Sequence, residues 1–171
     1  MLSALHTRDA AHKDATIRET LADLRDMINN ASADGLSFDE TLAELRVETA
    51  DRLAAAGIDL HWTSEAGETP GLAPDATHAL RSIIREAISN VIKHADARLV
   101  TLTVSRQPDL VALEIVDDGK GFDPASVQRG NGLDNMRVRL ERLHGQLDLE
   151  NHGNGTRLAA RFPIPDQPTL Q

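Results

Sequence analysis

The sequence predicts an α+β fold, a two-layer sandwich in which helices cover one face of a mixed β-sheet. Three observations support this fold class. The strands are predicted mostly as adjacent pairs rather than in strict alternation with helices. Helices with apolar residues at helical spacing separate these pairs. The chain has 171 residues, of which 40% are hydrophobic, and this is enough to bury a core.

The N-terminal region, residues 8–56, is predicted to form two helices. The first has apolar residues at spacings of four, three and four: Ile17, Leu21, Leu24 and Ile28. That stripe could pack within the domain or form the seam of a homodimer, and the sequence leaves both open. The second helix is predicted to begin at the capping box S-F-D-E, in which Ser37 and Glu40 cap each other's backbone.

From Gly57 onward, strand and helix patterns follow one another. The predicted order is strand 58–62, helix 75–95, strands 98–106 and 110–116, helix 133–144, and two strands joined by H-G-N-G. The run 110–116 is the most continuously apolar, which indicates a strand in the middle of the sheet. We therefore expect a helical segment over 1–35, a globular domain over 36–164 and a tail over 165–171.

Composition argues against several classes of function. The net charge of −9 and the lack of a Lys/Arg block disfavour nucleic-acid and anionic-membrane partners. Three phenylalanines, one tryptophan and no tyrosine offer little surface for stacking bases. Without cysteine there is no disulfide, thiolate metal site or cysteine nucleophile. The N-terminus lacks the pattern of a signal peptide, and no apolar run approaches the ~20 residues that span a bilayer, so a cytoplasmic protein is expected.

Polar residues border the apolar face of the helix predicted at 75–95. Glu86 and Asn90 are four residues apart and share one side, and Lys93 and His94 lie about one turn further along. An amide oxygen suits Mg²⁺, a lysine ammonium suits phosphate, and a carboxylate can orient or deprotonate a nucleophile. Taken alone, the same residues also fit the solvated side of an ordinary helix.

A glycine-rich loop follows the predicted central strand. Asp117 stands directly after that strand, and Gly119 and Gly121 permit positive φ and a close approach of the backbone to a ligand. A carboxylate repels phosphate, but it accepts a hydrogen bond from an exocyclic amine such as that of adenine. Asp117 is therefore predicted to bind the base, with the phosphates elsewhere.

Two further glycines, Gly130 and Gly132, immediately precede the helix predicted at 133–144. Free backbone N–H groups at a helix start favour an anion, and residues 122–129 would form a short lid. The loop does not match the dinucleotide fingerprint G-x-G-x-x-G, because Pro124 takes the place of the third glycine. It also lacks the alternating acids and terminal glutamate of an EF-hand calcium loop.

Four motifs follow one another along the chain: E-A-I-S-N-V-I-K-H-A (86–95), D-D-G-K-G-F (117–122), G-N-G-L (130–133) and G-N-G-T (153–156). They resemble the N, G1 and G2 boxes and the last glycine motif of the GHKL, or Bergerat, ATP-binding fold. Sensor histidine kinases, gyrase-type ATPases, a heat-shock chaperone and anti-sigma-factor kinases share this fold. The N-V-x-K-H-A order and the short lid most resemble sensor kinases that pair with response regulators of the LuxR/NarL type.

The resemblance spans roughly residues 36–164 and implies a role for each matching position. Asn90 would coordinate Mg²⁺, and Glu86 would act as base or polarising group. Lys93 and His94 would lie near the phosphates of ATP, and Asp117 would bind adenine. The other implied ATP-binding positions are Gly119, Gly121, Gly130, Gly132, Leu133 and Thr156.

The N-terminus departs from the family pattern, in which a phosphoacceptor histidine lies in an E-L-H-D context. His6 and His12 lack those acidic neighbours, and the stripe at 17–28 instead resembles the second helix of the dimerisation hairpin. We expect a catalytic region that donates the γ-phosphoryl group of Mg-ATP to a histidine on a helix absent from this chain. Its partners would be that helix and a LuxR/NarL-type regulator, and it could be the cytosolic part of a membrane sensor. A Ser/Thr kinase of the anti-sigma type and a non-catalytic domain are the alternatives.

Overall fold

A computed structural model of the protein describes three stretches of the chain, 36–65, 71–122 and 131–164. They belong to one compact unit that begins at Leu36. The helix predicted before it, with His6 and His12, and the tail 165–171 lie outside the described residues. The three-part division of the chain and a homodimer through the first helix therefore stay predictions. No helix within the described stretches is long and apolar enough to cross a membrane.

Three α-helices and five strands make up the described part of the chain. In chain order they are α1 (Phe38–Ala55), β1 (Asp59–Glu65), α2 (Pro74–Asn90), β2 (Leu99–Arg106), β3 (Leu110–Asp117), α3 (Asn131–Arg142), β4 (Gln146–His152) and β5 (Gly155–Pro163). A π-helical turn, Val91–Ala95, directly follows α2. From the second predicted helix onward, the predicted order of helices and strands is confirmed.

The five strands form one mixed sheet in the order β1-β2-β3-β5-β4. β1 and β2 are parallel, and the other neighbouring pairs are antiparallel. β3 lies in the middle, as its continuous apolar run predicts. The sheet register places Ile115 of β3 opposite Leu102 of β2 and Leu158 of β5. The α+β class with a mixed sheet is thus confirmed.

The core lies on one face of the sheet. Alternate residues of β2 and β3 are buried, and they join buried residues of all three helices in a single apolar cluster. The opposite face carries partly exposed polar residues, among them Arg157, which pairs with Glu114 and Glu150. The helices therefore determine which face of the sheet can line an interior cavity.

α1 is held in place at its start and along its length. Ser37 forms the predicted capping box with Glu40, with the Ser37 N–H donating to Glu40 Oε2 at 2.7 Å. Farther along, Glu48 accepts two hydrogen bonds from Arg85 of α2, at 2.8 and 2.9 Å, and Glu44 accepts one from Arg81 at 2.7 Å. These paired charges fix α2 against α1.

The end of α2 differs from the uninterrupted helix predicted over 75–95. The last turn is π-helical, and it ends at Asp96, whose φ is +53°. A hydrogen bond from outside the helix holds this end, because the Lys120 N–H donates to Ala95 O at 2.8 Å. A π-turn contains more residues per turn than an α-helix, so Lys93 and His94 point in directions that α-helical spacing does not predict.

Candidate functional site

A cavity of about 730 Å³ opens between the second half of α2, the π-helical turn, the end of β3 and the start of α3. Its size lies within the range of small-molecule sites. The structure brings together nine residues that the sequence predicted for one site: Glu86, Asn90, Lys93, His94, Asp117, Gly121, Gly132, Leu133 and Thr156. Of the two others, Gly119 does not line the cavity and Gly130, with the lid residues after Phe122, lies outside the described stretches.

An apolar row across three strands, absent from the sequence-based prediction of the site, lies on the sheet side of the cavity. Ile115, Leu158 and Leu149 stand opposite one another on β3, β5 and β4. Two of them could have been found from the strand period, since Ile115 is two residues before Asp117 and Leu158 two residues after Thr156. The third depends on which strand pairs with β5. Such a row suits a flat, apolar ligand surface.

Asp117 is fixed at the end of β3 with its carboxylate toward the cavity. Its side chain is almost fully buried, and its Oδ1 accepts the N–H of Gly119 at 2.9 Å. A Cβ on Gly155 would overlap the Asp117 carbonyl group, so the neighbouring strand must carry glycine there to approach so closely. Asp117 is therefore a preorganised acceptor beside an apolar surface.

Asp118, the next residue, binds backbone groups of another segment. Its side chain is exposed, and its Oδ1 accepts the backbone N–H groups of Arg98 and Leu99 at 2.8 and 2.9 Å. These bonds hold the pKa of the Asp118 carboxyl below its usual range. The bond from Leu99 has the largest effect, and the bond from Arg98 the next largest. Asp118 thus anchors the segment that leads into β2 instead of lining the main cavity.

Gly119 joins the loop to the π-helical turn. A Cβ at this position would overlap the carbonyl oxygen of Ala95, so only glycine allows the two segments to approach so closely. The next residue, Lys120, pairs with Asp96 at 2.7 Å and lowers the pKa of that exposed carboxyl through the hydrogen bond and its charge. Gly119 therefore shapes the site from behind, and a contact of Gly119 with a ligand stays a prediction.

The polar end of the cavity lies where α2 meets the start of α3. A Cβ on Gly132 would overlap the carboxylate of Glu86, which places that carboxylate directly against the first turn of α3. α3 is attached to α2 farther along by Arg139, which contacts His78 and donates to Ser82 Oγ at 2.8 Å. This end of the cavity combines the start of α3 with the carboxylate of Glu86. The last residue of α2 and the π-helical turn add an amide and two basic side chains: Asn90, Lys93 and His94.

The two ends of the cavity offer different chemistry. One end has a buried carboxylate beside aliphatic side chains, which suits a flat base that donates a hydrogen bond. The other has a helix start and basic groups, which suit an anion. Asn90 contributes an oxygen of the kind that Mg²⁺ accepts together with phosphate and water oxygens. The arrangement fits a purine nucleotide that carries a phosphate chain.

Comparison with protein families and curated proteins agrees with this chemistry. The family described as histidine kinase-, DNA gyrase B-, and HSP90-like ATPase matches residues 75–166. The sensor histidine kinase YvfT of Bacillus subtilis is 29% identical over 156 residues, which cover 91% of this chain and 40% of YvfT. The signal transduction histidine-protein kinase/phosphatase UhpB of Salmonella typhimurium is 36% identical over 111 residues, covering 65% of this chain and 22% of UhpB. The chain spans less than half the length of these relatives.

Solved structures of similar fold include histidine kinases. The histidine kinase AdeS of Acinetobacter baumannii superposes with a TM-score of 0.63 at 16% identity, covering 88% of this chain and 79% of the AdeS chain. The catalytic domain of histidine kinase ThkA gives a TM-score of 0.61 at 15% identity, covering 75% of this chain and 93% of that domain. At this identity the likeness shows a shared fold.

Proposed function

The chain belongs to the histidine kinase-, DNA gyrase B-, and HSP90-like ATPases, and we propose that it is the ATP-binding catalytic region of a two-component sensor histidine kinase. The observation that carries the proposal is the single cavity that unites Asp117 with Asn90, Lys93 and the start of α3. YvfT and UhpB, which are similar over much of the chain, are both named as histidine kinases.

ATP would lie along the cavity with adenine against the apolar row. The exocyclic amine of adenine would donate to the carboxylate of Asp117, and the hydroxyl of Thr156, on the neighbouring strand, would support this contact. Ile115 and Leu158 would cover the faces or edges of the ring. A base without an amine at that position would leave the buried carboxylate with its Gly119 hydrogen bond but without a partner on the ligand, which is costly, so the pocket should favour adenine over guanine.

The phosphate chain would extend toward α3 and the π-helical turn. Lys93 and His94 would offset its negative charge, together with the N–H groups at the start of α3. Asn90 would hold Mg²⁺ jointly with phosphate oxygens and water, and the ion would neutralise charge on the phosphoryl group in transfer. Glu86 would orient the incoming acceptor or take up its proton.

The acceptor in this proposal is a histidine imidazole on a separate dimerisation helix. Its nitrogen would form a bond to the γ-phosphorus while the bond from that phosphorus to the ADP oxygen breaks, and the imidazole proton would leave to a base. Further partners would be a response regulator of the LuxR/NarL type and, through the N-terminal helix, a second copy of the kinase. The reaction would take place in the cytoplasm.

A transfer experiment tests this proposal. The chain is mixed with radiolabelled ATP, Mg²⁺ and a dimerisation-helix fragment of a sensor histidine kinase that carries a phosphoacceptor histidine, and the labelled product is treated with acid. We expect an acid-labile label on the fragment, as for phosphohistidine, and none with the Asn90→Ala variant. An acid-stable label would support the Ser/Thr kinase alternative, and a chain that binds no ATP in calorimetry would refute both.

A further inference from the structure

The edge strand β4 holds the loop at the cavity through one side chain. Asn151 makes two hydrogen bonds to the backbone of the same residue, Phe122. The Phe122 N–H donates to Asn151 Oδ1 at 2.9 Å, and Asn151 Nδ2 donates to Phe122 O at 2.8 Å. One carboxamide thus satisfies both polar groups of one backbone residue, as a neighbouring strand would.

The residues held in this way form part of the cavity wall. Gly121 and Phe122 both line the cavity, and neither belongs to a strand. Gly121 has a φ of +68°, and a Cβ there would lie 2.7 Å from Asn151 Oδ1. A larger residue at 121 would therefore be strained and would also push the carboxamide away. The conformation of this glycine and the reach of Asn151 depend on each other.

The other attachments of the loop lie upstream of this point. Asp118 bonds to the start of β2, and Lys120 bonds to Ala95 and Asp96. These contacts fix the loop to the π-helical turn and to the start of β2. Within the described residues, both backbone polar groups of Phe122 bond to the side chain of Asn151, so β4 fixes the opposite side of the loop.

We propose that Asn151 is a positioning residue of the nucleotide site, acting through the backbone of Phe122. The inference rests on the proposed binding of ATP and names a residue that does not itself line the cavity. Without the carboxamide, Gly121 and Phe122 would sample other conformations. The nucleotide would then have to order them on binding, and this cost would weaken its affinity. Strand pairing in the sheet would stay intact, because the backbone of Asn151 still pairs with Thr156.

Calorimetry and amide exchange on the full chain test the inference. Asn151→Ala removes both hydrogen bonds, whereas Asn151→Asp keeps the acceptor for the Phe122 N–H and loses the donor to Phe122 O. Asn154→Ala is the matched control, since Asn154 is an exposed asparagine in the adjoining turn, whereas the bonds to Phe122 come from Asn151. We expect the Kd for a non-hydrolysable Mg-ATP analogue to rise about tenfold in Asn151→Ala, less in Asn151→Asp, and less than about twofold in the control.

Exchange of the Phe122 amide proton, followed by NMR in the nucleotide-free protein, distinguishes positioning from general destabilisation. It should be faster in Asn151→Ala and stay slow in Asn151→Asp, while exchange in the core strands is unchanged. Faster Phe122 exchange with an unchanged Kd would overturn the positioning role and leave the proposed function in place. A weaker Kd with core exchange also accelerated would mean that Asn151 only stabilises the fold. Failure of the wild-type chain to bind the analogue would overturn both the proposed function and this inference.

Discussion

Replacing Asp117 with asparagine changes the charge of the proposed base-binding group with almost no change in shape. Asp117 is 5% exposed as a residue, and one oxygen of its carboxylate accepts the Gly119 N–H. An asparagine can keep that hydrogen bond through its amide oxygen, so the free energy of unfolding should change by less than about 1 kcal/mol. The other oxygen becomes an NH₂ group, which would face the amine of adenine.

Two losses then act on nucleotide binding. A hydrogen bond to a charged group contributes about 1.5–3 kcal/mol, and a buried donor left without an acceptor costs about 1–3 kcal/mol. Together they weaken binding by about 2.5–6 kcal/mol. Since about 1.4 kcal/mol corresponds to a factor of ten, the Kd for ATP should rise by between two and four orders of magnitude, roughly.

Calorimetry with a non-hydrolysable Mg-ATP analogue measures this change. Asp118→Asn is the matched control, because it makes the same substitution one residue further on, where the side chain bonds to Arg98 and Leu99 instead of facing the cavity. The control should bind the analogue within about threefold of wild type. An Asp117→Asn protein that is folded and binds as tightly as wild type would refute the assignment of Asp117 to adenine.

Three other outcomes are expected. Gly155→Ala should lower the free energy of unfolding by about 2–3 kcal/mol, since the added Cβ would overlap the backbone of Asp117. Gly153→Ala should lower it by only about 1 kcal/mol, because Gly153 has a φ of +61° but open space around it. Equal losses in urea unfolding would contradict this. Asn90→Ala should weaken ATP binding in Mg²⁺ but leave binding in EDTA nearly unchanged; an equal loss in both would exclude an ion-mediated role. The pKa of the Asp118 carboxyl is lower in the folded protein than its value of about 3.9 in the unfolded chain. The stability that the ionised carboxyl adds is therefore fully present above the unfolded pKa, and it is lost as the pH falls through the folded pKa. The stability advantage of wild type over Asp118→Asn should therefore be constant above about pH 5 and shrink below about pH 3.9; a difference independent of pH would contradict it.

Local sequence patterns predict the elements of the fold well. The capping box at Ser37 begins α1, and the helical period of α2 identifies its buried face. The strand period identifies the buried residues of β2 and β3. These features depend on residues a few positions apart, and the alternation of apolar and polar side chains therefore reveals them.

The sequence predicted part of the site, namely the residues that belong to recognisable motifs. Glu86, Asn90 and Asp117 were all expected in one site, and they line one cavity. The sequence did not predict that the turn after Asn90 is π-helical. A backbone hydrogen bond from Lys120, about thirty residues after Asn90, holds the end of this turn, and local spacing does not reveal such a contact. Nor did it predict the attachment of Phe122 to Asn151, which lies 29 residues away.

The sequence by itself determined which residue types the site uses and on which elements they lie. Hydrophobic periodicity set the faces of the helices and strands, and the glycine motifs marked where the backbone makes a close approach. The tertiary structure alone decided how these pieces meet. The register of β3, β5 and β4 makes Ile115, Leu158 and Leu149 one apolar row, and the overlap that a side chain would cause at Gly132 or Gly155 becomes visible only once the neighbouring segment is in place. Such contacts join residues distant along the chain, and packing and backbone pairing, rather than local propensity, determine them.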